Sequence, residues 1–100
     1  MRLVAAGVNH KTAPVAVREQ LALHPDHQAA VLRRLVALPG VAEALILSTC
    51  NRFELYLVQP PGGPTVAAEE MVGEATGADR ETLAPHLYTY EDADAARHLF

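Results

Sequence analysis

The 100-residue chain has one cysteine, one lysine, no tryptophan and only 5% aromatic residues. A single cysteine, Cys50, excludes an intrachain disulfide, and with no secretory leader in sight the chain is expected in the cytosol. The start, Met1-Arg2-Leu3-Val4, has no long apolar stretch behind it, and no run reaches membrane-spanning length. The formal net charge is −4 and the densest basic cluster is Arg33-Arg34, which argues against autonomous, nonspecific nucleic-acid binding. Phe53, Tyr56, Tyr88, Tyr90 and Phe100 fall on no obvious common platform of the kind an RNA-recognition sheet uses to stack bases. No Gly-x-Gly-x-x-Gly or P-loop occurs, so no nucleotide-binding loop is recognisable. Cys-x-x-Cys, His-x-x-x-His and tight acidic clusters are missing too, which speaks against a metal site.

What the chain does have is enough apolar residue, 50%, for one small domain with a modest core. Leu3–Val8 reads as a first strand, and Asn9-His10-Lys11-Thr12-Ala13-Pro14 as a non-helical loop closed by proline. A short helical turn is expected within 15–23. Pro25 suits a first helical position, with His24 as a mediocre cap, and Asp26 suits the dipole. Gln28, Val31, Leu32, Leu35 and Leu38 then lie on one face of a helix over 25–38, ended by Pro39-Gly40. Ala44–Leu47 reads as a buried strand and Phe53–Val58 as its hairpin partner. Pro60–Pro64 is a loop, Thr65 a good cap, and Ala68, Met71, Val72 and Ala75 the inner stripe of a helix that Gly77 ends. A single turn over 79–83, a strand over 86–90 and a helix opening at Asp92 complete the pattern. The last helix stops without a stop signal, so the chain reads as cut inside an element. The order predicts an α+β, ferredoxin-like βαββαβ sandwich: a four-stranded antiparallel sheet, helices on one face, truncated at the start of a further helix.

The turn Thr49-Cys50-Asn51-Arg52 is the candidate for chemistry. A plain hairpin favours Asn-Gly or Asp-Gly there, so side chains matter more than ease of turning. A cation two residues from a thiol raises its thiolate fraction, and the thiolate is the nucleophile. Packing and chance remain open for a lone cysteine. Arg52 suits a bidentate grip on a carboxylate or phosphate, or else pairs with Glu54 or solvent. Thr49 and Asn51 can donate to a carbonyl or oxyanion. Of five histidines, His24 and His27 flank a helix start, His86 follows a proline, His10 lies in the first loop beside Lys11, and His98 neighbours Leu99 and Phe100.

Three segments carry a resemblance. Gly7-Val8-Asn9-His10-Lys11-Thr12-Ala13-Pro14 with Val17-Arg18-Glu19 resembles the opening signature of the glutamyl-tRNA reductase family. Leu47-Ser48-Thr49-Cys50-Asn51-Arg52, then Glu54 and Tyr56, resembles the signature around that family's catalytic cysteine. Ala93–Phe100, with Arg97-His98-Leu99-Phe100, is similar to the start of a third stretch. Phe53 departs from a frequent threonine. The resemblance implies NADPH-dependent reduction of glutamyl-tRNA to glutamate-1-semialdehyde through a cysteine thioester, the first step of five-carbon tetrapyrrole synthesis. It implies Cys50 as the nucleophile, Arg52 as holder of the glutamate carboxylate, Thr49 and Asn51 as positioning groups, and His98 as the active-site histidine. His10 and Lys11 are expected to approach the same site. NADPH and dimerisation domains are expected outside this chain, leaving the 1–100 piece inactive by itself. Glutamyl-tRNA, a second copy of the protein and the downstream aminomutase are the implied partners. Two rival readings are a non-enzymatic RNA- or ligand-binding module and a thiol redox protein; the latter leaves Arg52 and the first motif unexplained.

Overall fold

The computed structural model describes residues 2–21, 25–49, 51–61 and 68–99. In chain order these form β1 (Arg2–Asn9), α1 (Val15–Leu21), α2 (Pro25–Ala37), β2 (Glu43–Ser48), β3 (Arg52–Gln59), α3 (Ala68–Thr76), α4 (Arg80–Leu83), β4 (Tyr88–Glu91) and α5 (Asp92–Leu99). The strands make one antiparallel sheet in the order β2-β3-β1-β4, the ferredoxin-like arrangement expected from the element pattern. The proposed caps His24 and Thr65 lie outside the described residues.

Strand alternation sorts the side chains onto two faces. Ala6, Val8, Phe53, Leu55 and Leu57 point to one, where they meet Val17 and Leu21 of α1, Val31 and Leu35 of α2, Met71, Val72 and Ala75 of α3, and Leu83 of α4. Of the expected stripes, Val31 and Leu35 of α2 and Met71, Val72 and Ala75 of α3 lie in this core, with Leu38 packed against it. Fully burying one such leucine contributes roughly 1.5–3 kcal/mol. Gly77 ends α3 at φ 75°, a left-handed conformation that glycine adopts without Cβ strain, and its N–H donates to Gly73 O at 2.7 Å.

The second face is partly closed by α5, the helix expected to open at Asp92. Its Ala95 is fully buried against Ala5 and Tyr56, with Leu3, Leu47, Tyr90 and Leu99 around them. Asp92 enters α5 at φ 48°, and its Oδ1 accepts from Leu3 N at 3.0 Å, fixing the helix start to the sheet's central strand. The fourth strand begins at Tyr88 rather than at His86. Residues Ala84–His86 form a 3-10 turn instead, with Leu87 N donating to Leu83 O at 3.1 Å.

Gly7 lies at the crossing of these elements, paired with Glu54 on one side and Tyr88 on the other. A Cβ there would collide with Phe53 O and stand 2.8 Å from Glu54 Cγ and 2.9 Å from Glu54 Cα. Two of these three obstacles are backbone atoms, which cannot swing aside. Gly7→Ala is therefore expected to destabilise the protein by about 1–3 kcal/mol, read as a lowered urea midpoint. An unchanged midpoint would contradict the close approach.

Candidate functional site

A glutamate sits between Phe53 and Leu55 of β3, on the face opposite the main core. Glu54 is 0% exposed. Burying a carboxylate is costly unless donors replace its water. Here four side chains do so. Tyr56 OH donates to Oε1 at 2.9 Å and Tyr88 OH to Oε2 at 2.5 Å, while Arg52 Nη2 pairs with Oε1 and His98 Nε2 with Oε2. Tyr88 reaches from β4 across β1 because the residue between them is Gly7. His98 comes down from α5, stacks on Tyr90 with ring centroids 4.5 Å apart, and meets Tyr88 edge-on at 5.1 Å.

Burial pushes the Glu54 carboxyl up, but hydrogen bonds from Tyr88 and Tyr56 and the charges of His98 and Arg52 outweigh it and hold it below the ordinary 4.5. An ionised carboxylate only accepts, so His98 Nε2 must carry the proton of that bond. Burial and the bond to Glu54 push Tyr56 up to about 12, and the same causes raise Tyr88 further. Both tyrosines are fixed as donors at neutral pH. The Arg52 guanidinium is held above its ordinary value, because Glu54 outweighs the opposing desolvation.

Of the alternatives left open for Arg52, the structure shows the pairing with Glu54. Its side chain nevertheless keeps 35% of its exposure. Its hydrogen bonds to Glu54 and to His98 O (3.5 Å) leave from the same nitrogen, Nη2. Among the described residues the other N–H groups of the planar fork take no partner.

The hairpin turn is tied by Thr49. Its N–H donates to Arg52 O at 2.8 Å, and its Oγ1 accepts from Asn51 N at 3.3 Å and Arg52 N at 3.1 Å. Thr49 and Asn51 are exposed, and Cys50 between them lies outside the described residues. At the same end of the sheet Asn9 pairs with Arg52, which sets the loop carrying the exposed His10 and Lys11 beside this turn. The sheet thus brings together the loop after β1, the β2–β3 turn and the far end of α5. His86 is drawn into the scaffold: its Nδ1 donates to Thr12 O at 3.0 Å. Among the described residues no group of three or more His, Cys, Asp or Glu side chains could hold a metal, and no helix is long and apolar enough to cross a membrane.

Sequence reasoning missed the centre of this arrangement. Glu54 entered only as a motif residue and a possible partner of Arg52, Tyr56 as a motif residue and one of the aromatics, and Tyr88 and Tyr90 not at all as site residues. The signals were a charge inside an apolar strand, which needs partners, and the Tyr-x-Tyr spacing that puts two rings on one face. Tyr56, Tyr88 and Tyr90 do share a face, contrary to the scattered arrangement read from sequence. They are occupied by Glu54, His98 and α5, so they do not form an open stacking platform.

A family model described as the N-terminal domain of glutamyl-tRNAGlu reductase matches residues 6–100. The chain is 44% identical to a glutamyl-tRNA reductase of Syntrophotalea carbinolica, which it matches over 100% of its own length and 23% of the relative's. It is 48% identical to that of Chromohalobacter salexigens, over 99% of the chain and 23% of the relative. The solved glutamyl-tRNA reductase from Methanopyrus kandleri superposes with a TM-score of 0.65 at 26% identity, covering 97% of this chain and 21% of that one. The chain thus spans about a quarter of the length of these proteins.

Replacing Glu54 by Gln removes the charge and keeps the shape. Since the folded carboxyl titrates below its ordinary 4.5, its stabilisation is present above 4.5 and is lost as pH falls through the folded value. Glu54→Gln should cost about 2 kcal/mol near neutrality, the scale of a charge-assisted hydrogen bond. The gap to wild type should narrow on acidification below 4.5, measured by urea unfolding across pH. A gap that widens in acid would refute the assignment.

Proposed function

The chain belongs to the glutamyl-tRNA reductase family through its N-terminal domain, and we propose from that membership that it carries the acyl-transfer half of the reaction. The Cys50 thiolate attacks the ester carbonyl that joins glutamate to the tRNA terminus. A thioester forms, and the ribose hydroxyl leaves with a proton. Thiolates suit both half-reactions, being good nucleophiles and good leaving groups. Arg52 accepts the side-chain carboxylate of the glutamyl group on its free N–H groups. Glu54 and the two tyrosines hold that guanidinium in place. Thr49 and Asn51 position the substrate at the turn, and His98, fixed by Glu54 and Tyr90, orients it beside them.

The observation that supports this reading most directly is an arginine half-engaged by a buried carboxylate and half-exposed, two residues after the only cysteine. NADPH, the implied hydride donor, finds no dinucleotide loop in this sequence, so its binding groups are assigned outside residues 1–100. The homodimer, the aminomutase partner and a cytoplasmic location follow from the family resemblance.

In the full-length protein, glutamyl-tRNA without NADPH should leave a glutamyl adduct on Cys50, detectable by mass spectrometry. Cys50→Ser should abolish both adduct and reductase activity while the protein stays folded; full activity in this variant would end the assignment. Arg52→Lys replaces a planar fork by a point charge and should raise KM for glutamyl-tRNA about tenfold, the equivalent of one charge-assisted hydrogen bond of about 1.4 kcal/mol. An unchanged KM would remove Arg52 from substrate binding.

A further inference from the structure

The loop between β1 and α1 combines a rigid frame with unpaired charge. Thr12 N and Ala13 N donate to Asn9 O at 3.1 and 3.0 Å. Lys11 N and Thr12 N donate to Asn9 Oδ1 at 2.9 and 3.1 Å, and Asn9 N donates to Thr12 Oγ1 at 3.0 Å. His86 fastens the loop from the other side through Thr12 O, and Ala13, 4% exposed, sits in the core. Within this frame His10 and Lys11 are exposed, and their side chains form no hydrogen bond or ion pair with the described residues. Lys11 is the sole lysine of a chain with net charge −4. Register puts the loop next to the Arg52 turn, because Asn9 pairs with Arg52.

We propose that Lys11, with His10 beside it, binds a backbone phosphate at the acceptor end of the tRNA while Arg52 holds the amino acid. The proposal rests on the acyl-transfer reading and adds the RNA contact to it. Once a glutamyl carboxylate occupies Arg52 and the ester lies at the turn, the substrate still beside this loop is the ribose-phosphate backbone. Phosphate contacts set register without reading bases, and a hydrated point charge on a long stem serves for that. The frame places the charge; the overall acidity of the chain keeps RNA from binding elsewhere.

The test uses the full-length protein, with affinity for uncharged tRNA measured against salt and thioester formation measured with two donors. One donor is glutamyl-tRNA; the other is a glutamate ester of adenosine, which has no phosphate. Lys11→Ala should weaken tRNA binding about tenfold at low salt and lower the salt slope by about one. It should raise KM for glutamyl-tRNA by a similar factor with kcat unchanged, leave the adenosine ester unaffected, and be rescued by Lys11→Arg. An unchanged salt slope, or an equal loss with the adenosine ester, would overturn the phosphate contact. A wild-type protein that forms no adduct from either donor would overturn the acyl-transfer reading instead, while the tRNA-binding arm still decides on Lys11.

Discussion

A single buried carboxylate organises one whole face of this sheet. Removing an ionised group from water costs several kcal/mol unless donors surround it. Glu54 meets that requirement with Arg52 and Tyr56 from its own strand, Tyr88 from β4 and His98 from α5. Three elements are thereby tied to one carboxylate, beside the apolar contacts of Tyr56, Tyr90, Ala95 and Leu99. Gly7 is part of the same constraint, because any side chain there would separate Tyr88 from Glu54 and collide with β3. Removing one donor would leave the carboxylate under-solvated, which makes the arrangement collective rather than a sum of pairs.

The two faces of the sheet divide the work. The face under α1 to α4 supplies the close-packed apolar core, with the buried Gln59 at the end of β3 on the same side. The face under α5 has a small apolar patch around Ala5, Tyr56 and Ala95, and beside it the polar cluster. Functional groups held on packed strands and a helix keep tighter geometry than groups on loops alone. The exposed turn at Thr49–Arg52 and the loop at residues 10–13 emerge from this base at one end, each tied by its own side-chain hydrogen bonds.

Much of the fold could be read in the sequence because it depends on local signals. Periodicity located α2 and α3, Gly77 marked a helix end, and the strand–helix order gave the sheet topology. The polar cluster was harder to see because its partners lie 34 and 44 residues apart along the chain. No local pattern announces that Tyr88 and His98 converge on Glu54. The start assigned to the fourth strand at His86 was too early for a related reason: residues Ala84–His86 form a 3-10 turn that lets His86 hold the first loop, a long-range contact that β propensity does not register. The motif likeness named Arg52 and His98 as site residues without saying what joins them. What joins them is Glu54, which the sequence offered only as a possible partner of Arg52.

The pairing of Arg52 with Glu54 bears on whether this arginine can still attract an acidic substrate. A lone carboxylate partner would cancel the guanidinium charge and weaken its pull on a second anion. Here the negative charge of Glu54 is shared among four donors, two of them tyrosine hydroxyls that keep their protons well above neutral pH. Less of it therefore falls on Arg52, and the fork keeps N–H groups toward the surface at 35% exposure. Glu54 lies on the protein side of the fork and an incoming carboxylate must approach from the open side, so the two anions are separated by the cation. The buried carboxylate thus aims the arginine without exhausting it, so the anion site proposed for Arg52 and a rigid ion pair can share one side chain.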